Sequence, residues 1–239
     1  MLSVRLFVDV KEVKYMKIKA AIFDMDGTLI DSLMLWDILW DVLSKKYLDG
    51  KPFKPDEKTD KAIRTMPLYE AMEYLHKSCN IGESGEVLYK IATDTFRNFY
   101  KNEVKLKKGM REILDFFYAN GVKMCLATAS DSDLVEVVLR HCDIKKYFPM
   151  LFSCKELGKG KEEPDVYYLA LDWLGTSKEE TWVFEDSFVA LSTAAEAGFP
   201  TVGVYDRYGF RQDIMKEKST VYISENEDVS KLISMIEKM

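Results

Sequence analysis

Short apolar runs alternate with helical patterns along much of the chain. The runs cover residues 19–24, 122–128, 150–153, 181–185 and 201–205. Apolar residues recur at helical spacing in residues 109–121, 130–144, 164–175 and 186–198. A short apolar run is typical of a strand buried on both faces, and strands that alternate with helices are typical of parallel βαβ units. The pattern therefore predicts an α/β fold, a doubly wound parallel sheet with helices on both faces.

One long segment departs from this alternation. Residues 33–104 contain no convincing strand, and a stripe of apolar residues at helical spacing begins with Leu33, Trp36 and Trp40. Further helical patterns, separated by Pro or Gly, occupy residues 55–66, 67–78 and 82–103. The segment is therefore predicted to be an all-helical insert in the α/β sheet.

These patterns predict a domain organisation. We expect a small helical domain at residues 33–104, inserted into a core domain formed by residues 17–32 and 105–239. Residues 1–16 form a predicted N-terminal extension to which we assign no function. An extra short strand in "VRLFVDV" is the alternative for this extension.

Composition and charge narrow the class of protein. With 47% hydrophobic and 31% charged residues, the 239-residue chain has an ordinary composition, and its net charge of −6 argues against non-specific binding to nucleic acids or acidic membranes. No run approaches the roughly 18 apolar residues of a spanning helix. We expect a cytoplasmic protein with no nucleic-acid or membrane partner. The four cysteines contain no Cys-x-x-Cys pair and are expected to be free thiols, and neither of the two histidines belongs to a catalytic pattern.

Polar residues with complementary chemistry follow four of the predicted strands. In chain order they are Asp24 and Asp26, then Thr128, then Lys159 and Lys161, then Glu185 and Asp186. Ligands of a parallel sheet bind outside the carboxyl ends of its strands, so we expect these side chains to meet at one edge.

Each residue type has a use in one reaction. Clustered carboxylates favour Mg²⁺, a lysine and a threonine hydroxyl suit phosphate oxygens, and a carboxylate can attack phosphorus. Gly27 lets the chain turn directly after the two aspartates. Taken singly, these features are also typical of a turn, a strand end, a solvated loop and a helix start. Their joint occurrence at four strand ends favours Mg²⁺-assisted phosphoryl transfer.

The motifs around these residues resemble those of the haloacid dehalogenase superfamily, over about residues 17–225. "DMDGTLIDS" resembles the first motif, "CLATAS" the second, "GKEEPDVY" the third and "FEDS" the fourth. Glu162 stands where the third motif usually has proline. The resemblance implies a Rossmann-like core with a helical cap, as in the phosphatases and the β-phosphoglucomutase-like subgroup.

The resemblance also implies a role for each site residue. Asp24 would be the nucleophile and Asp26 the general acid and base. The phosphate-binding residues would be Thr128, Ala129 and Lys161. The Mg²⁺ ligands would be the side chains of Asp24 and Asp186 and the backbone carbonyl of Asp26. Glu185 would be a further ligand or would contact a ligand. The spacing to Pro164 favours Lys161 over Lys159.

Three functions are compatible with this resemblance. The first is a monomeric Mg²⁺-dependent phosphomonoester hydrolase that acts on a small phosphorylated metabolite through an aspartyl-phosphate. The alternative is a β-phosphoglucomutase-like isomerase. Two positions weaken it, because Trp36 stands where that enzyme has a histidine and residues 65–68 lack its phosphate-binding arginine. Arg64 is near the second position. A non-catalytic binding module is the third, and the complete set of catalytic positions argues against it.

The helical cap is expected to close over the site and to select the leaving group. The resemblance places hinges at residues 28–33 and 104–107. Candidates for the apolar lining of the pocket are Met34, Trp36, Trp40, Met66 and Tyr69. For most of these side chains packing inside the cap is the favoured role, since Trp36 and Trp40 lie on the helix stripe.

Overall fold

The computed structural model describes residues 17–64 and 66–237, and the predicted N-terminal extension lies outside them. The strands are β1 (Ala20–Phe23), β2 (Ile30–Asp31), β3 (Lys105–Leu106), β4 (Lys123–Thr128), β5 (Leu151–Ser153), β6 (Thr181–Glu185), β7 (Thr201–Val204) and β8 (Val221–Ile223). The helices are α1 (Leu35–Tyr47), α2 (Glu57–Ile63), α3 (Leu68–Cys79), α4 (Gly85–Asn102), α5 (Met110–Ala119), α6 (Ser132–His141), α7 (Cys154–Leu157), α8 (Asp165–Leu174), α9 (Phe188–Glu196), α10 (Gln212–Lys218) and α11 (Lys231–Glu237).

The main sheet of the described chain has six parallel strands in the order β5-β4-β1-β6-β7-β8. Its centre is β1, which pairs with β4 on one side and β6 on the other. All four residues of β1 are apolar and fully buried, as a strand covered on both faces requires. Alternation along the strand sends Ala21 and Phe23 into one hydrophobic core and Ala20 and Ile22 into the other. The predicted α/β fold is confirmed.

Helices cover both of these cores. Residues of α5 and α6 pack on the side of Phe23, and residues of α8 and α9 pack on the side of Ile22. Phe23 also stacks on Phe184 of the neighbouring strand, with ring centroids 4.2 Å apart. The carboxyl ends of β1 and β6 are therefore held side by side by a well-packed core, and both strands lead into the predicted site.

Helices α1–α4 lie between β2 and β3 in the chain, as the helical patterns predict. β2 and β3 pair antiparallel, with Ile30 opposite Leu106 and Asp31 opposite Lys105. This two-stranded ribbon joins the two ends of the helical segment and lies inside both predicted hinge ranges. The sequence did not predict it, because strands of two residues are too short to show alternation. The exact limits of the two domains stay a prediction.

Capping side chains explain where two helices of the helical segment begin. The Asp56 side chain accepts a hydrogen bond from the Thr59 N–H at 2.9 Å at the start of α2, and the Ser84 side chain accepts one from the Val87 N–H at 3.2 Å at the start of α4. The four cysteines are free thiols, as expected. Within the described ranges, no helix is long and apolar enough to cross a membrane.

Candidate active site

A tight turn follows β1 and sets the direction of both aspartates. The Met25 carbonyl accepts hydrogen bonds from the backbone N–H groups of Thr28, Leu29 and Ile30. Gly27 adopts a φ of 83°, a conformation that favours glycine. A Cβ atom on Gly27 would lie 2.3 Å from Asp186 Oδ2, so the turn also needs glycine for its close approach to the end of β6.

Three buried carboxylates and one lysine meet at this edge of the sheet. One carboxylate oxygen each from Asp24, Glu185 and Asp186 lies within 4.8 Å of the others. The Lys161 ammonium forms ion pairs with Asp24 and, at 2.6 Å, with Glu185 Oε1. Lys159 is 51% exposed and pairs instead with Asp165 at 2.7 Å. The structure therefore brings Lys161 into the cluster and leaves Lys159 outside it.

Hydroxyl groups hold two of these carboxylates in place. The Tyr167 hydroxyl donates to Glu185 Oε1 at 3.0 Å, and the Thr28 hydroxyl donates to Asp186 Oδ1 at 2.9 Å. Both hydrogen bonds are buried. The two carboxylates therefore keep fixed orientations toward Asp24.

The cluster carries more negative than positive charge. Burial raises the pKa of Asp24 to about 7, although the charge of Lys161 opposes this. Burial and the charges of Asp24 and Glu185 raise the pKa of Asp186 well above its usual value. Burial would lower the pKa of Lys161, but the same two acids outweigh it and raise that pKa. A divalent cation would relieve this excess charge, and the all-oxygen donor set suits Mg²⁺.

The Asp26 carboxylate lies apart from this cluster and has its own partners. Oδ1 accepts hydrogen bonds from the Ser32 hydroxyl at 2.7 Å and the Tyr100 hydroxyl at 2.6 Å. Oδ2 accepts one from the Ser130 hydroxyl at 2.6 Å. Burial, followed by the charge of Asp26, raises the pKa of Tyr100 well above its usual value, so Tyr100 stays a donor. The carboxylate is held by groups from the segment between β2 and α1, from α4 and from the loop after β4.

The loop after β4 supplies the remaining predicted residues. The Thr128 hydroxyl oxygen accepts a hydrogen bond from the Ser130 N–H at 3.1 Å, which leaves the hydroxyl proton for another acceptor. Thr128 and Ala129 line the same cavity as Asp24, Asp26 and Lys161, with a volume of about 250 Å³. The structure therefore gathers the sequence-predicted site residues around one cavity, with the exception of Lys159.

The helical segment also contributes residues to the wall of this cavity. Trp36 and Met66 are among its lining residues, as the sequence suggested. Trp40 is instead 2% exposed and packs in the core of the segment, and Tyr69 is 47% exposed. The candidate lining residues are therefore divided among cavity, core and surface, because Trp36 and Trp40 on α1 have different neighbours and Tyr69 lies on another helix, α3.

Several site residues were not identified from the sequence. Thr28 and Ser32 lie within the "DGTLIDS" stretch, so their hydroxyls, next to the aspartates, offered a signal. Tyr100 and Tyr167 come from helices α4 and α8 and carry no strand-end signal. Only the packing of those helices brings their hydroxyls to Asp26 and Glu185.

With this geometry, the chain belongs to the haloacid dehalogenase-like hydrolase family, whose profile matches residues 21–204. The resemblance expected from the motifs is confirmed. The chain is 30% identical over 184 residues to a phosphorylated carbohydrates phosphatase of Thermotoga maritima, covering 77% of this chain and 83% of that protein. It is 30% identical over 172 residues to hexitol phosphatase B of Escherichia coli, covering 72% and 76%.

Solved structures are similar along nearly the whole chain. A Thermotoga maritima protein described as a candidate β-phosphoglucomutase superimposes with a TM-score of 0.73 at 26% identity, covering 93% of this chain and 100% of that one. The structure of CbbY from Rhodobacter sphaeroides with phosphate also has a TM-score of 0.73, at 21% identity, and covers 86% and 93%. The similarity to CbbY shows a shared fold and nothing about function.

Proposed function

We propose that this protein is a Mg²⁺-dependent phosphomonoester hydrolase that works through an aspartyl-phosphate on Asp24. The observation that carries the proposal is the position of Asp24, which pairs with Lys161 inside the carboxylate cluster while Asp26 lies in the same cavity. A nucleophile, a fixed positive charge and a second carboxylate at one cavity are what phosphoryl transfer through a carboxylate requires. The similarity to named phosphatases supports the same conclusion.

The proposed reaction has two steps. An Asp24 carboxylate oxygen attacks phosphorus, the bond from phosphorus to the leaving oxygen breaks, and that oxygen takes a proton from the Asp26 carboxyl group. Water then attacks the phosphorus of the aspartyl-phosphate and gives a proton to Asp26. The bond from phosphorus to the Asp24 oxygen breaks, which restores the Asp24 carboxylate and releases inorganic phosphate. Asp26 acts first as an acid and then as a base, so its carboxyl group must keep one position through both steps. The hydrogen bonds from Ser32, Tyr100 and Ser130 support that role.

Lys161 and Thr128 are proposed to bind the phosphoryl group. Lys161 is buried and carries a positive charge beside Asp24, so it neutralises charge that develops on the phosphoryl oxygens. The free proton of the Thr128 hydroxyl is available to the same oxygens. Mg²⁺, when bound, would add positive charge beside the phosphoryl group. The residues that would hold it are Asp24, Asp186, Asp26 through its backbone carbonyl, and Glu185 directly or through a partner that Glu185 orients.

Residues 33–104 are proposed to act as the cap. Ion pairs and hydrogen bonds join them to the sheet domain. Arg97 of α4 pairs with Asp133, and the Tyr89 hydroxyl donates to Asp131 Oδ2 at 2.5 Å. Such contacts support a closed arrangement that excludes bulk water from the cavity. The related phosphatases act on phosphorylated carbohydrates and hexitols by name, so we propose a small phosphorylated carbohydrate as substrate.

The test is phosphate release from a panel of small phosphomonoesters, with Mg²⁺ or with EDTA. We expect metal-dependent release that Asp24→Asn abolishes. Lys161→Met is expected to lower kcat/KM by at least a hundredfold, because it removes a buried charge-assisted contact in the transition state. Lys159→Met is the matched control, since Lys159 has the same side chain in the same loop but pairs with Asp165 outside the cluster.

Equal losses in the two lysine variants would contradict the role of Lys161. Release that persists in EDTA or in Asp24→Asn would contradict the proposed chemistry. Isomerisation of β-glucose 1-phosphate without net phosphate release would replace the hydrolase by the mutase.

A further inference from the structure

One arginine of the helical segment lies buried at the cavity. Arg64 directly follows α2 and is among the residues that line the cavity with Asp24 and Lys161. Its side chain is only 9% exposed, and its Nε lies 3.1 Å from Oδ2 of Asp60, one helical turn earlier. An arginine buried to this degree is uncommon unless its donors have partners.

The partners of this arginine are incomplete within the described part of the chain. Arg64 Nε and Nη1 are buried and have no hydrogen-bond partner there, and neither has Asp60 Oδ1. The contact between Nε and Asp60 is close enough for an ion pair but lacks the geometry of a hydrogen bond. Buried donors without acceptors cost free energy, so an acceptor that enters the cavity would be favoured at this place.

Charge and shape indicate the kind of acceptor. Asp60 already balances the charge of Arg64, so the pair as a whole is neutral. The guanidinium carbon lies 5.5 Å from the centre of the Trp36 ring and 6.0 Å from the centre of the Tyr208 ring. A second phosphate bound here would lose its hydration beside two aromatic rings, and it would also be repelled by the negative charge of Asp60. A hydroxyl or carbonyl oxygen avoids that cost and can still accept from Arg64.

We infer that Arg64, oriented by Asp60 and flanked by Trp36 and Tyr208, binds neutral oxygen atoms of the leaving group. The substrate class that follows is the monophosphate of a polyhydroxylated carbon skeleton, and bisphosphates are disfavoured. This inference rests on the proposed function for the identity of the phosphate end of the cavity. Arg64 would select substrates and would take no part in the attack on phosphorus.

The test compares substrates that differ only in the oxygens of the leaving group. The probes are glucose 6-phosphate, fructose 1-phosphate, sorbitol 6-phosphate and phenyl phosphate, which has no hydroxyl on its leaving group. For the best of the three carbohydrates, Arg64→Met is expected to raise KM at least tenfold. The kcat/KM for phenyl phosphate should change less than threefold. Arg140→Met is the matched control, because Arg140 is 72% exposed, pairs with Glu136 and does not line the cavity.

Three kinetic results would overturn the inference. Equal losses for carbohydrate and phenyl phosphate would show that Arg64 only supports the fold of the segment. Unchanged KM for every probe would show that solvent, and no substrate oxygen, meets its donors. An at least tenfold preference of the wild type for glucose 1,6-bisphosphate over glucose 6-phosphate, lost in Arg64→Met, would show that Arg64 binds a second phosphate.

A binding measurement separates failure of this inference from failure of the proposed function. Calorimetry on the Asp24→Asn protein, with and without Arg64→Met, measures the affinity for the same three carbohydrate phosphates without turnover. An at least tenfold loss of affinity through Arg64→Met supports the inference even if the wild type releases no phosphate. Retained affinity, or no binding of any of the three, overturns it.

Discussion

The three hydroxyl groups around Asp26 allow a graded test of how its carboxylate is held. Tyr100 and Ser32 both donate to Oδ1, whereas Ser130 is the donor to Oδ2 among the described residues. Tyr100→Phe therefore leaves Oδ1 with one donor, and Ser130→Ala leaves Oδ2 with none. Ser130→Ala keeps the backbone N–H that donates to Thr128.

The expected magnitudes follow from these partners. A hydrogen bond to a charged group contributes about 1.5–3 kcal/mol, so we expect Ser130→Ala to lower kcat by roughly 10- to 100-fold. For Tyr100→Phe the remaining donor on Oδ1 limits the loss to about 1 kcal/mol, or roughly fivefold in kcat. KM should change little in either variant, because Asp26 is proposed to act on the leaving oxygen and on water and is not among the proposed phosphate ligands.

The assay is steady-state phosphate release together with urea unfolding. Tyr118→Phe is the matched control, because it removes the same hydroxyl from a tyrosine that is 58% exposed. Phe has the shape of Tyr, so Tyr100→Phe should lower the free energy of unfolding by no more than about 1 kcal/mol. A larger loss of kcat in Tyr100→Phe than in Ser130→Ala would refute the reasoning, as would losses below twofold in both.

Two further predictions concern the turn and the metal site. Gly27→Ala should lower the free energy of unfolding by more than Gly121→Ala, and it should abolish activity. Both glycines have positive φ, at 83° and 70°, but only the Cβ at Gly27 meets Asp186. Equal unfolding losses would show that the contact with Asp186 is not limiting. The raised pKa of Asp24, about 7 against an ordinary 3.8, means that the metal-free fold loses stability as pH rises from about 4 to about 7. Mg²⁺ needs the ionised Asp24 carboxylate, so the rise in Tm on adding Mg²⁺ should be greater at pH 8 than at pH 6. The rise should be lost in Asp186→Asn. A greater rise at pH 6 would contradict the proposed role of Asp24 as a metal ligand.

Long and regular patterns were predicted well from the sequence. The five apolar runs became β1, β4, β5, β6 and β7, and the predicted helices between residues 109 and 198 were found within a few residues of their predicted limits. These elements carry enough residues for burial to impose a readable period. β2 and β3 were missed because two residues cannot show a period, and β8 was missed although it is as long as β5. The pairing of β2 with β3 also depends on residues that are about 75 positions apart in the chain.

The same division applies to the candidate site. Asp24, Asp26, Thr128, Lys161, Glu185 and Asp186 could be proposed from the sequence, because each follows a strand or lies in a recognisable motif. The sequence favoured Lys161 over Lys159 by spacing, and the structure adds the physical difference, since Lys161 is buried against two carboxylates. The roles of all these residues stay predictions until the variants are measured.

The sequence by itself determined most of the sheet, the helical insert and the set of candidate site residues. Local spacing and burial act within a few residues, and they leave their record in the order of the amino acids. Only the tertiary structure decided that Tyr100 of α4 reaches Asp26, that Tyr167 of α8 reaches Glu185, and that Arg64 lies at the cavity. The two hydrogen bonds join residues that are 74 and 18 positions apart, and Arg64 is the residue that ends α2. They depend on how whole helices pack, and no local pattern encodes that packing.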